Sequence, residues 1–314
     1  MVEGSAEFTT EDSELMVIGY FKTFGPLSAI SSTELFSYHK ALTIFVNVPY
    51  FLSNVMTFSL VAIIPAGGVG ERAQHQVHGQ SVPKQYRQIA GLSMLHHSVR
   101  ALLADQRVQH VFIGVAPNDG WIQTQDFTAY EGRVTVLATG GASRADTVLN
   151  TLKASTLEAK TWVLVHDAAR PGLPQEALSQ LISQCLAQQR GGLLALPVGD
   201  TVKRARQVLT SSVAVSDTVV SAEGVEGGLR VEDSLPEVDA TISREGLWLA
   251  QTPQMFASAE LIQALESALA QGFEITDEAS AIEFMGGHPL LLKGHWRNLK
   301  VTWPSDFDLV EQFL

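Results

Sequence analysis

The chain has 314 residues and a formal net charge of −12, with 33 Asp and Glu against 21 Lys and Arg. That balance argues against a duplex-DNA or RNA groove binder, whose affinity needs a basic surface, so an anionic ligand must meet a local basic cluster. Hydrophobic residues make up 46% and charged residues 17%, which suffices for one large core or two modest ones and excludes global disorder.

Residues 1 to 56 show no sustained apolar period, and Glu3, Glu7, Glu11, Asp12, Glu14 and Glu34 outnumber Lys22 and Lys40. An acid-rich start is the wrong charge for a transit peptide. The span from Ala41 to Gly70 carries no charged residue and by length alone could cross a membrane. Pro49, Asn47 and Asn54 interrupt its first half, however, and SLVAII at 59–64 reads as a buried strand entering a glycine loop. We expect an N-terminal extension over 1–56, poorly ordered or a mis-assigned start ahead of Met56, with a partner-binding or peripheral membrane tail as the alternative. The functional domain is expected over 57–314, with no membrane span.

From Leu60 short apolar runs alternate with amphipathic segments. Strands are predicted at Leu60 to Ile64, His110 to Val115, Arg133 to Leu137, Trp162 to Val165 and Gly192 to Leu196. Helices are predicted near Ser93 to Ala104, Ser143 to Lys153 and Gln175 to Gln188, the second with Ser143 as N-cap. Such alternation, with continuously apolar strands, implies an α/β fold with a parallel sheet covered on both faces. Between Asp200 and Thr241 the alternation gives way to a Val, Ser, Gly and acid-rich stretch, read as an inserted β-arm or hairpin spanning about 198–246, with a mobile loop over Gly224 to Asp239. Beyond it, Ala257 to Gln271 and Asp277 to Gly286 look helical and Asn298 to Thr302 looks like a strand. Pro304 to Phe313 closes with a helix in which Pro304 suits the first helical position. Trp248 reads as core or dimer interface. The one cysteine, Cys185 in LISQCLA, excludes an intrachain disulfide and suits a reducing compartment, the cytoplasm; it reads as helix packing.

Ligands in such folds bind beyond the C-terminal strand ends. The first strand runs into PAGGVGER at 65–72, where glycines let backbone N–H groups approach a phosphate. Gly68, Gly70 and Ala73 satisfy a dinucleotide-binding pattern, yet that motif wants an acid about 20 residues on, and after Glu71 the next acid is Asp105. Arg72, Lys84, Arg87 and Arg100 stand between them instead, a local positive field suited to a polyphosphate. A dehydrogenase is disfavoured on this ground. His166 beside Asp167 suggests a nucleophile triad, but no nucleophile elbow accompanies it; His75 and His78 read as solvated.

PAGGVGER followed by PKQY at 83–86 resembles the signature of nucleotidyltransferases that use CTP. GGASRADTV at 140–148, VHDAARP at 165–171, PVGDTVKR at 197–204, LWLAQTPQMF at 247–256, TDEASA at 276–281 and NLKVT at 298–302 narrow the likeness to the 2-C-methyl-D-erythritol 4-phosphate cytidylyltransferases, from about residue 57 to the C-terminus. The resemblance implies a Rossmann-like nucleotidyltransferase fold and a Mg²⁺-dependent transfer of CMP from CTP to a polyol phosphate. Carried over by residue, it implies that Arg72 and Lys84 grip the CTP phosphates and that Arg244 and Lys300 position the acceptor phosphate. It further implies that Ala66, Gly67, Gly68, Gly141 and Thr147 contact the nucleoside. Arg170, Thr201, Thr252 and Thr276 would line the sugar-phosphate pocket, and Asp167 would face the metal and ribose. The arm would cross to a second subunit, giving a homodimer. Read without the resemblance, Arg170 is a structural arginine paired to Asp167, and Thr276, Asp277 and Glu278 are a helix cap with acids at its favourable end. The chain departs from the family pattern at Gly67, Ala142, Ser243 and Trp303, and both the segment between Arg72 and Lys84 and the arm are longer than usual. Ribitol 5-phosphate as acceptor and a catalytically idle nucleotide-binding module remain as alternatives.

Overall fold

A computed structural model of the chain describes residues 2–4, 21–23, 58–68, 75–77, 80–206 and 235–314. It divides into two units, Met1–Thr57 and Phe58–Leu314. In the first, Val2–Gly4 pairs antiparallel with Phe21–Thr23.

The second unit is built on a seven-stranded sheet. Its strands are β1 (Leu60–Pro65), β2 (His110–Gly114), β3 (Val134–Leu137), β4 (Trp162–Val165) and β5 (Gly192–Pro197), then β8 (Trp248–Ala257) and β9 (Leu290–Lys293). The order across the sheet is β9-β5-β8-β4-β1-β2-β3. β1 runs parallel to β2 and β4, β2 to β3, and β5 to β9, while β8 runs antiparallel between β4 and β5. The strand order reverses at β1, whose neighbours are β2 and β4, and such a switch point opens a crevice beyond the strand ends.

Every β1 residue but Pro65 is buried, and alternate side chains feed opposite cores because strand side chains alternate in direction. Leu60, Ala62 and Ile64 join Leu95, Val99 and Leu102 of α1 (Met94–Leu103) and Leu178, Leu181 and Cys185 of α3 (Gln175–Gln188). Val61 and Ile63 join Val148 and Leu152 of α2 (Arg144–Ala154), Leu261 and Leu265 of α4 (Ser258–Ala270) and Ile282 of α5 (Glu278–Phe284). The mostly parallel sheet is thus covered by helices on both faces, as the continuous apolar runs imply. A third cluster seats Phe307 and Val310 of α6 (Ser305–Glu311) on Ile89, Met94, Ala169 and Val301. Cys185 is fully buried, and burial pushes its thiol up to about 12.

The inserted stretch forms an antiparallel pair, β6 (Val202–Ala205) with β7 (Val238–Ile242). Of the expected loop, residues 224–234 lie outside the described residues, whereas Val238 and Asp239 are strand, paired with Ala205 and its neighbours. Three further corrections follow from local bonding. Asn298 to Thr302 is not a strand: Trp296–Asn298 is a 3₁₀ turn, and the main chain beyond it is held by single cross-links, Val301 N–H to the Ala169 carbonyl at 2.8 Å and Thr302 N–H to Asp306 Oδ2 at 2.7 Å. Pro304 occupies the N-cap of α6 rather than its first helical position. Trp248 is 38% exposed at the start of β8, so it is not core.

Candidate active site

The cleft at the β1/β4 switch point has a volume of about 420 Å³. Its walls come from the loop after β1 (Ala66, Gly67, Gly68), the 3₁₀ turn with Lys84 and Gln85, the start of α2 (Gly141, Ser143, Arg144, Thr147), the end of β4 (Asp167) and Lys300. Eight residues read from the sequence therefore meet in one place: Ala66, Gly67, Gly68, Lys84, Gly141, Thr147, Asp167 and Lys300.

Asp167 sits at the centre of a charge network. Its Oδ1 accepts from Arg144 Nε at 2.9 Å, and its Oδ2 lies 3.0 Å from Lys300 Nζ and 3.6 Å from Arg170 Nε. Arg144 also donates through both terminal nitrogens to Glu278, at 2.7 and 3.2 Å. Burial by itself would raise the Asp167 carboxyl, but Arg144, Lys300 and Arg170 hold it well below the usual carboxylate range. Burial lifts Glu278 above its ordinary value, against the pull of Arg144. Two buried carboxylates thus face three cations, a surplus of positive charge on the cleft floor.

Beneath this floor the orientation of Asp167 is fixed by neutral groups. Asp167 N–H donates to Thr252 Oγ1 at 3.0 Å, and that hydroxyl lies 3.0 Å from His166 Nδ1. His166 Nε2 lies 3.0 Å from the Arg170 carbonyl, which can only accept. The imidazole therefore carries its proton on Nε2 and accepts the Thr252 hydroxyl proton on Nδ1. Burial pushes His166 down to about 4, so it is a neutral strut, consistent with rejecting a nucleophile triad. Arg170 donates to the carbonyls of Asn298 at 2.7 Å and Ala250 at 3.5 Å and is nearly buried. Its contacts are those of an arginine paired to Asp167 and the main chain behind the cleft.

The start of α2 is set by a capping box: Ser143 Oγ accepts from Asp146 N–H, and Asp146 accepts the Ser143 N–H at 3.0 Å. Thr147 Oγ1 accepts from Gly141 N–H at 3.0 Å and donates to the Ser143 carbonyl at 3.0 Å. Its hydroxyl proton is thereby committed to shaping the Gly141 loop. A Cβ at Gly141 would come within 2.3 Å of Asp146 Cβ, so only glycine permits this approach. Lys84 Nζ donates to the Val301 carbonyl at 3.1 Å, which ties its 3₁₀ turn to the segment bearing Lys300.

Other predicted residues lie elsewhere. Thr252 is buried under Asp167. Thr276 is exposed before α5, its N–H donating to Ser280 Oγ at 3.2 Å, next to the Asp277 N-cap. Thr201 and Arg244 are exposed on the arm, where the Arg244 guanidinium donates to the Gly199 carbonyl. Arg72 lies outside the described residues, as do the side chains of His75 and His78. Among the described residues no group of three or more His, Cys, Asp and Glu could hold a metal by themselves, and Asp167 is the one carboxylate lining the cleft. Sequence reasoning gave no role to Gln85 or Arg144 and read Glu278 only as an acid at a helix start, with no part in the cleft. All three stand inside quoted motifs, and that position was the available signal.

A family model described as 2-C-methyl-D-erythritol 4-phosphate cytidylyltransferase matches residues 60–219 and 206–314. The chain is similar to a curated protein of that name from Bordetella pertussis (strain Tohama I), 47% identical over 260 residues that cover 82% of this chain and 100% of the relative. A relative of the same name from Thiobacillus denitrificans is 41% identical, covering 81% of this chain and 96% of its own length. Among solved structures, a 4-diphosphocytidyl-2C-methyl-D-erythritol synthase matches with a TM-score of 0.62 at 33% identity, covering 82% of this chain and 99% of the other. A Francisella tularensis 2-C-methyl-D-erythritol 4-phosphate cytidylyltransferase matches with a TM-score of 0.61 at 25% identity, with 82% and 100% covered.

Proposed function

The chain belongs to the 2-C-methyl-D-erythritol 4-phosphate cytidylyltransferase family, and from that membership we propose that it transfers CMP from CTP to 2-C-methyl-D-erythritol 4-phosphate, giving 4-diphosphocytidyl-2-C-methyl-D-erythritol and pyrophosphate, a step towards isoprenoid precursors. The observation that carries this reading is the cationic floor around Asp167, set at the switch point beside a glycine loop.

The reaction joins two anions. An oxygen of the acceptor phosphomonoester attacks the α-phosphorus of CTP and pyrophosphate leaves with the electrons of the broken bond. With a second pKa near ~6 the acceptor is already largely dianionic at neutral pH, so no general base is required. What the protein must supply is cancellation of repulsion and an in-line approach. Lys84 and Arg72 serve the triphosphate in this scheme, and Lys300 and Arg244 the acceptor phosphate. Gly67, Gly68 and Gly141 bring main chain against the nucleoside, with Thr147 holding the last in place. Arg170 and Thr252 act from below by orienting Asp167.

Mg²⁺ suits this donor set, because it favours phosphate oxygens and water with one or two carboxylates over an all-protein cage. A carboxylate offers about four lone-pair directions, and Asp167 commits two of them, to Arg144 and Lys300, while Arg170 Nε stands off at 3.6 Å. Asp167 would hold the ion, which when bound neutralises part of the triphosphate charge.

Exposed Leu235, Val238, Leu247, Trp248 and Leu249 on and beside the arm support a homodimer in which each arm reaches its partner's cleft, the role that Arg244 needs. The single buried cysteine suits the cytoplasm. Pyrophosphate release with CTP and Mg²⁺ tests the assignment. It is expected with 2-C-methyl-D-erythritol 4-phosphate and should fall about 10²–10³-fold in Lys84→Ala. Release with ribitol 5-phosphate alone would keep the chemistry and change the substrate; no release with either would refute the proposal.

A further inference from the structure

We infer that Gln85 is a positioning residue for the nucleotide: its side-chain amide holds the Ala66–Gly68 loop so that the Gly67 N–H and the open face of Gly68 meet CTP. The inference rests on the cytidylyltransferase reading above and adds to it a residue outside the cationic machinery.

Gln85 follows Lys84 in the same 3₁₀ turn and is 5% exposed. Its Nε2 donates one proton to the Ala66 carbonyl at 3.1 Å and the other to the Gly68 carbonyl at 3.0 Å. Both partners are acceptors only, which fixes the amide with its nitrogen towards the loop. A trans peptide sets its N–H opposite its carbonyl, so turning the Ala66 carbonyl to Gln85 turns the Gly67 N–H away from it. The N–H of Ala66 is already spent on the Gly114 carbonyl at 2.7 Å, leaving the Gly67 N–H as the next donor along the loop.

The glycines agree with this arrangement. A Cβ at Gly67 would lie 3.1 Å from Gly140 Cα and 3.2 Å from Thr147 Oγ1, so the loop is pressed against the segment leading into α2. A Cβ at Gly68 would meet none of the described residues within 4 Å, and no positive φ requires glycine there. Among the described residues neither packing nor backbone conformation demands a glycine at 68, so the position is open to close approach of a ligand. Gln85 grips the loop on one side and Gly140 backs it on the other. Because Lys84 and Gln85 share one turn, the phosphate cation and the nucleoside loop are set as a unit.

Gln85→Met fills the same volume without donors, and Gln85→Glu sets a carboxylate oxygen against two carbonyls. Calorimetric titration of the full chain with CTP should show binding weakened about 10-fold in Gln85→Met and more than about 100-fold in Gln85→Glu. In turnover the KM for CTP should rise with the binding loss while that for the acceptor phosphate stays within roughly twofold, a split that a general packing defect would not produce. Gly68→Ala adds a methyl that meets none of the described residues, so it should melt with the parent and still bind CTP about 10-fold more weakly. Gln85→Met with parental CTP affinity overturns the role of Gln85. If that variant does not fold, Gly68→Ala decides: parental affinity there overturns the inference too. A parent chain that does not bind CTP overturns the functional reading and this inference with it.

Discussion

Glu278 and Arg144 stand 134 positions apart and meet through two hydrogen bonds, with the Glu278 side chain 1% exposed. An uncompensated charge in that position is costly, whereas removal of both partners is not. Glu278→Gln replaces one acceptor oxygen with a donor that faces the guanidinium, and it should cost about 2–4 kcal/mol by urea unfolding. Arg144→Met with Glu278→Met together should cost less than the sum of the single changes, a coupling that a double-mutant cycle reads directly; additive losses would dismiss the pair. Neither residue drew a role in the cleft from the sequence, because local pattern shows only an acid in the first turn of a helix and an arginine after an N-cap. Which buried charges meet is decided by how α2 and α5 pack. Cys185, Asp167 and the glycine loop were legible, since a helix face, a strand end and a missing Cβ are local facts. A second buried group reports on pH. His97 Nδ1 accepts from Arg100 at 3.0 Å and its Nε2 lies 2.7 Å from the Ile89 carbonyl. Burial lowers its pKa, with Arg100 and His96 adding to that and the Ile89 carbonyl opposing it. The unfolded chain then binds the proton more readily, so stability is present above the ordinary histidine pKa of about 6.5 and is lost as pH falls below it. Urea midpoints measured from about pH 7 to about pH 5 should decline, and His97→Gln should flatten the decline; equal slopes would remove His97 as a source.

At the scale of elements, caps and uninterrupted apolar runs carried the information. β4 and α3 begin and end at the residues predicted, and β1, β2, β3, β5, α1 and α2 differ by one residue at an end or two. α1 and α2 start at capping serines, and β1, β4 and β5 are buried along most of their length. β8 was not among the predicted strands, since Gln251, Thr252 and Gln254 break the apolar run and a proline argues against a central strand. Tertiary bonds supply what propensity lacks there: Gln254 accepts the Ala279 N–H at 2.8 Å and donates to Asp277 at 2.8 Å, which ties the strand to the start of α5. The stretch at 298–302 failed in the opposite sense, its β-prone residues being used as separate tethers for Lys84, Ala169 and Asp306. The capping box of α2 gives a test of element on site. Ser143→Ala should destabilise the chain by about 1 kcal/mol in urea. Because Arg144 is the first residue of that helix, the same change should lower kcat for CMP transfer. Stability lost with kcat intact would mean that the cap serves the helix and not Asp167.

For the whole molecule, the net charge of −12 and a ligand set of four phosphates, three on CTP and one on the acceptor, are reconciled by concentrating cations in one cleft and leaving the surface acidic. One cation assigned to the acceptor does not share that cleft among the described residues: Arg244 is exposed on the arm, near Gly199, while Lys84 and Lys300 line the cavity. If the arm completes the site of a second copy, the two residues that build one active site belong to different chains. Arg244→Ala and Lys84→Ala homodimers would each be inactive for opposite reasons. In a heterodimer of the two, the cleft of the Arg244→Ala chain keeps its Lys84 and receives Arg244 from its partner's arm. The other cleft lacks both. Random pairing of equal amounts gives heterodimers in about half of the molecules, each with one intact site of two, so a co-expressed mixture should recover about one quarter of parental activity. Sedimentation should show the dimer, and Leu249→Glu on the exposed start of β8 should dissociate it and abolish the recovery. A dimer whose mixture stays silent would assign Arg244 to the cleft of its own chain, and the arm would then have to fold back rather than reach across.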